Sequence, residues 1–145
     1  MIVIEREVAV AATPEHVFDY LADFRTTEEW DPGTVRTVLL QGDGGIGTTY
    51  RNTSRFSGRE TDLIYEVVEC IRPRRIVLRG ENRTVVARDT MTFRSEAHVT
   101  RICYRAEFQL KGLARLAEPF FRKPFDRLGE EAEEGLRNAL GKLAA

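Results

Sequence analysis

A chain of 145 residues, 42% hydrophobic and 31% charged, can bury roughly 70% of its unfolded surface in one domain and is too apolar for disorder. Its net charge of −1, with arginines interleaved among acids, offers no basic face to nucleic acid. Cys70 and Cys103 are too few for a disulfide framework, no apolar run approaches a membrane span, and charge arrives at Glu5, too early for a secretion signal. The expectation is a cytoplasmic protein with no nucleic-acid partner and no membrane insertion.

In chain order, Ile2 to Val10 alternates at period two and predicts a strand. Thr13, Pro14 and Glu15 then supply an N-cap, a first helical position and a first-turn acid, and Val17, Phe18, Leu21 and Phe24 follow at helical spacing. The stretch TTEEW repeats the cap-plus-acid start and predicts another turn or two of helix before Asp31-Pro32-Gly33 breaks the chain.

Next comes Gly42-x-Gly44-x-x-Gly47, the string of a dinucleotide-binding loop. Such a loop needs a helix after it, because the pyrophosphate sits on that helix's first amides. Here TTYRNTSRF follows, alternating at period two, so the glycines read as hairpin geometry with positive φ at Asp43, Gly44 and Gly45.

Six strands are expected, over 34–41, 47–56, 60–70, 75–80, 85–95 and 99–110, and their short separators force antiparallel pairing. Helical spacing returns from Leu113 to Leu143. Pro119 and Pro124 should start or kink that element, leaving about twenty helical residues beyond them. A sheet with a single long amphipathic helix must lay the helix across one face.

Alternation also assigns an inner face: Tyr50, Asn52, Ser54 and Phe56, then Tyr65 and Val67, then Ile76 and Leu78. Ala87, Asp89, Met91 and Phe93 follow, with Ile102, Tyr104, Ala106 and Phe108 last; the opposite faces, Val77 among them, should meet water. Tyr50, Asn52, Ser54, Asp89 and Tyr104 are polar residues on this apolar face. A buried polar group without a partner costs roughly 1–3 kcal/mol. A filled core would not collect them, whereas a cavity holding water and a partly polar ligand would tolerate them.

Asn52, Ser54 and the tyrosines could equally bond one another in an ordinary core. Asp89 reads either as an ion pair with a nearby arginine, or a misplaced outward residue, or as a carboxyl whose pKa is raised by desolvation. In the last case it could act as general acid or base, with Tyr50 or Tyr104 beside it. Trp30 reads as a core anchor or a pocket-mouth wall, and Phe120, Phe121 and Phe125 as packing that can double as ligand wall. His16 and His98 fall at surface positions, Cys103 has no histidine partner, and no spacing suits a metal, so neither metal nor cofactor is expected.

VAVAATPEHVFDYLADFRTTEEWDPGTV, then GIGTTYR, YEVVECIRPRRIVLR, YRAEFQLKG and the C-terminal helix together resemble the START-like helix-grip (SRPBCC) superfamily. Within it, the chain is similar to the polyketide cyclase/dehydrase and lipid-transport-like group of small bacterial proteins. The likeness spans essentially the whole chain and rests on structural positions: the Thr-Pro-Glu helix start, the Asp23 to Trp30 corner, the Gly-rich turn and the Pro73 turn. It implies a single α+β domain over 1–145: a strongly curved seven-stranded antiparallel sheet wrapped around a long C-terminal helix, with two short helices between the first two strands. It also implies a deep cavity between sheet and helix for a hydrophobic or aromatic small molecule; it does not imply a shared catalytic residue.

Three functions stay open: binding of a polyketide- or lipid-like molecule, cyclisation or dehydration of such a substrate by Asp89 and the tyrosines, and a protein-interaction module with a filled core. The sequence leaves open whether a homodimer forms through an edge strand.

Overall fold

The computed structural model describes residues 1–144. Strand β1 (Ile2–Val10) leads through Thr13 into α1 (Pro14–Ala22). The Thr13 hydroxyl accepts from the His16 amide at 3.2 Å, and Pro14 sits in the first turn, where no N–H is required. Thr13→Ala should cost about 1 kcal/mol, a fall of a few degrees in calorimetric Tm. An unchanged Tm would show the cap to be idle.

A single 3-10 turn (Phe24–Thr26) and the one-turn helix α2 (Thr27–Trp30) follow. Glu28 and Glu29 stand in its first turn as expected, but the cap is corrected: Thr26 is helical and makes no capping bond, its hydroxyl donating instead to the Asp23 carbonyl at 2.8 Å. The remaining strands are β2 (Thr34–Gln41), β3 (Thr49–Phe56), β4 (Arg59–Ile71), β5 (Arg75–Glu81), β6 (Val85–Glu96) and β7 (Val99–Leu110). They form one antiparallel sheet in the order β1-β7-β6-β5-β4-β3-β2. Consecutive hairpins account for every neighbour except β1, which the two short helices separate from β2 and which closes on β7.

The glycine hairpin differs in detail from the expectation. Positive φ falls at Gly42, Gly44 and Gly47 rather than at Asp43 or Gly45, and β3 begins only at Thr49. The cause is Thr48, buried against the loop. A Cβ on Gly42 would lie 2.6 Å from the Thr48 hydroxyl, and that hydroxyl accepts from the Gly44 amide at 2.9 Å. Gly47 in turn ties the loop to β4 by donating to the Val67 carbonyl at 2.8 Å.

A 3-10 segment (Gly112–Ala117) leads into α3 (Glu118–Gly141), which begins before both prolines. Pro119 occupies the first turn and Pro124 lies inside the helix; the Phe120 carbonyl that loses its bond there belongs to an exposed residue, within reach of water. Helix α3 crosses the concave face, packing on β1 and α2 and burying Phe125, Ala132, Leu136, Ala139 and Leu140. Val77, assigned to the watery face, is fully buried; opposite it β4 carries a bulge between Val67 and Glu69.

Candidate functional site

The interior has a filled end and a hollow end. At the filled end Val17, Phe18 and Leu21 of α1 press into the sheet, with Phe18 edge-on to Phe93 at 5.2 Å between ring centroids. Phe24 covers Tyr65 at 4.7 Å and Tyr50 at 5.7 Å. Beyond these rings, between the sheet and α3, lies a cavity of about 590 Å³. Its outer part is aromatic: Phe125 of α3 stacks at 4.5 Å on Phe56 and 4.6 Å on Phe108, and Phe121 lies 5.9 Å from Phe56.

Ala114 and Ala117 of the 3-10 segment roof the mouth, opposite Arg55, Ser57 and Arg59 of the β3–β4 hairpin. Leu113, Leu116 and Phe120 stand on the outer side of that roof, exposed. The position of Tyr65 depends on Gly80, where a Cβ would lie 2.6 Å from the ring.

Polar groups gather at the inner end. Asp89 on β6 is 6% exposed, its Oδ2 accepts from the Tyr104 hydroxyl at 3.4 Å, and its Oδ1 has no partner. The ion-pair reading of Asp89 is therefore corrected, as is the outward one. Its cross-strand neighbours are Leu78 and Ala106, while Arg105 points the other way and pairs with Glu5 at 2.7 Å and Glu107 at 2.8 Å. No arginine among the described residues pairs with Asp89.

Burial, then the negative charge of Asp31, pushes the Asp89 carboxyl up to about 7 against the opposing pull of Tyr104. Burial, then Asp89 and Asp31, raises both the Tyr65 and Tyr104 hydroxyls well above the usual phenol range. Asp31 is itself raised by burial, although the Gly33 amide at 3.0 Å and the Thr34 hydroxyl at 2.9 Å donate to it. Trp30, 2% exposed, stands edge-on to Tyr104 at 5.5 Å with its indole N–H unpartnered. It is an inner wall of the cavity rather than its mouth.

Facing these groups, β2 and β3 carry a chain of hydroxyls and one amide. Ser54 donates to Asn52 Oδ1 at 2.6 Å, Asn52 Nδ2 donates to Thr37 at 2.9 Å and Thr34 at 3.3 Å, and Thr37 meets Thr27 at 2.6 Å. Thr27 donates to the Phe24 carbonyl at 2.7 Å. Asn52 and Ser54 thus bond each other and still border the cavity.

Of the residues expected at a ligand site, Trp30, Asn52, Ser54, Phe56, Tyr65, Asp89, Tyr104, Phe108, Phe121 and Phe125 surround the cavity. Tyr50, Val67, Leu78, Ala87, Met91 and Ala106 share the inner face without bordering it, a correction with one cause. Alternation tells which side a residue faces but not how far along the strand the space is already filled. Tyr50 lies under Phe24 with its hydroxyl beside the Phe24 backbone, so it does not partner Asp89; Tyr104 does, with Tyr65 behind it.

The sequence marks Asp31 only as a chain breaker and Thr27 only as a helix start, yet both line the cavity. The one signal available for Asp31 is its place directly after Trp30. His16 and His98 are exposed.

The sequence profile described as polyketide cyclase / dehydrase and lipid transport matches residues 1–145. No curated protein matches the chain. Among solved structures, TTHA0849 from Thermus thermophilus is 16% identical over 99% of both chains, with a TM-score of 0.82. The Zhui aromatase/cyclase from Streptomyces sp. R1128 is 18% identical over 98% of this chain and 92% of that one, with a TM-score of 0.77. A START superfamily protein from Mycobacterium smegmatis is 15% identical over 97% and 98%, with a TM-score of 0.80. At such identities these likenesses show a shared fold.

Proposed function

The chain belongs to the polyketide cyclase/dehydrase and lipid transport family, and from that premise we propose that its cavity binds a hydrophobic or aromatic small molecule bearing an oxygen function. The observation that carries this reading is Asp89, with an unpartnered carboxyl oxygen, at the inner end of an aromatic-walled space of about 590 Å³. That volume suits a ligand of several fused rings or a folded acyl chain. The raised carboxyl holds its proton up to neutral pH and can donate it to a ligand carbonyl. A filled-core interaction module has no support from a domain with such a void.

Asp89 beside Tyr104 also supports a second reading, an enzyme catalysing dehydration or cyclisation. Asp89 would give its proton to a departing hydroxyl and, as carboxylate, take one from the carbon next to a carbonyl; water leaves and the residue ends as it began.

Trp30 is the one tryptophan and borders the cavity, so its fluorescence reports occupancy. A bicyclic phenol such as 2-naphthol should change its emission with one-to-one saturation, and Ala132→Phe, which places a ring in the cavity from α3, should abolish the response. The binding reading fails if aromatic, polycyclic and fatty-acyl probes all leave the emission unchanged. The enzyme reading fails separately if Asp89→Asn turns over a polyketide-like substrate at the full rate.

A further inference from the structure

The hydroxyl–amide chain on the β2–β3 wall has a fixed direction. It ends on the Phe24 carbonyl, which can only accept, so the Thr27 proton is committed there. Thr37, 2.6 Å from Thr27, must then spend its proton on Thr27 and keep only lone pairs for Asn52. Asn52 therefore turns its NH2 toward Thr37. Thr34 confirms that orientation independently, since its own proton goes to Asp31 and it too can only accept from Asn52. With its NH2 so placed, Asn52 presents Oδ1 to Ser54, and the Ser54 proton is spent at 2.6 Å. Every donor in the chain is used before the cavity is reached. What remains at the end of the chain are the lone pairs of Ser54 Oγ, to which no group among the described residues donates.

We infer that Ser54 is a hydrogen-bond acceptor for the ligand, so that the preferred ligand carries a proton donor, an alcohol, phenol or enol, toward the β2–β3 wall. This inference rests on the cavity being a ligand site and adds a chemical class to it. Asp89 and Tyr104 supply the opposite polarity across the cavity, so a molecule with a hydroxyl on one side and a carbonyl on the other satisfies both walls. Ser54 reads the hydroxyl. Asn52, Thr37 and Thr27 are positioning residues that keep Ser54 from donating.

The test compares 2-naphthol with 2-methoxynaphthalene by calorimetric titration of the wild-type protein. The ether keeps the acceptor oxygen and gains apolar surface, so partitioning alone would favour it. A satisfied donor should reverse that order, with the phenol bound at least about fivefold tighter. In Ser54→Ala the phenol's advantage over the ether should shrink to about twofold or less.

Equal affinities, or a preference for the ether, in the wild-type protein overturn the acceptor assignment while leaving the cavity a ligand site. An advantage that survives Ser54→Ala overturns the role of Ser54. Binding of neither probe, nor of any other aromatic or acyl compound, overturns the ligand site itself and this inference with it. The wild-type comparison requires no variant, so the outcome does not depend on how Ser54→Ala folds.

Discussion

Asp89→Asn is expected to stabilise the protein by roughly 1 kcal/mol at pH 4.5 and by about 4 kcal/mol at pH 8, with the gain levelling off above neutrality. The folded carboxyl titrates at about 7, against 3.8 for the ordinary group. Between those values the folded state holds a proton that the unfolded chain releases, so the wild-type protein loses stability as pH rises through that window. Asparagine has nearly the same shape and no proton to lose, so its curve lacks this slope.

The distance from 3.8 to about 7, at about 1.36 kcal/mol per pH unit, sets the upper size of the effect. Urea unfolding of both proteins from pH 4.5 to 8.5 measures it as the difference between two curves, which removes the contributions of every other carboxyl. Parallel curves would show that Asp89 is hydrated or paired in solution and would remove the ground for its acid–base role. A protein that keeps so costly a carboxyl at the bottom of a cavity is expected to use it.

Gly135→Ala should destabilise by about 3 kcal/mol or more, although alanine is the better helix former by about 1 kcal/mol. On the inner side of α3 a Cβ at this position would overlap the Trp30 carbonyl oxygen and lie 2.8 Å from its carbon and 3.4 Å from Pro32. These obstacles are mostly backbone, and no flexible side chain can swing aside. The helix must therefore draw away from α2, taking the cavity roof with it and letting water reach Trp30. A lowered urea midpoint together with red-shifted tryptophan emission is the expected pair of results. The same change at Gly141, where nothing lies within 4 Å, should cost nothing. An unchanged midpoint for Gly135→Ala would show that α3 does not ride this close to α2.

Which side of a strand faces inward is legible where period-two alternation runs unbroken, because backbone geometry dictates it; it fails at Val77, buried opposite the bulge in β4. Asn52, Asp89 and Tyr104 were found by that rule. Depth along the strand was not legible. Tyr50 and Ser54 lie on one face of β3, yet Tyr50 is roofed by Phe24 while Ser54 opens on the void, and only the placement of the α1–α2 corner separates them.

The sequence hides the place of Asp31 for a related reason. Asp-Pro-Gly is a sound turn signal, and nothing local shows that the turn folds back under Trp30. For Asp89 the sequence offered arginines nearby in number, but Arg88 and Arg105 are odd-numbered steps away along or across the sheet and face outward. Parity, taken alone, would have argued against that ion pair.

The filled and hollow ends give this domain separable mutational tolerances. Substitutions among Val17, Phe18, Leu21 and Phe93 disturb what keeps the chain folded and leave the chamber's walls alone. Substitutions at Ser54, Phe56 or Phe121 rework the chamber, where a lost methylene merges with space that is already vacant instead of opening a new void. Side chains around the chamber can therefore be exchanged with little risk of unfolding the other end. Stability and chamber shape are thereby set by different residues of one chain.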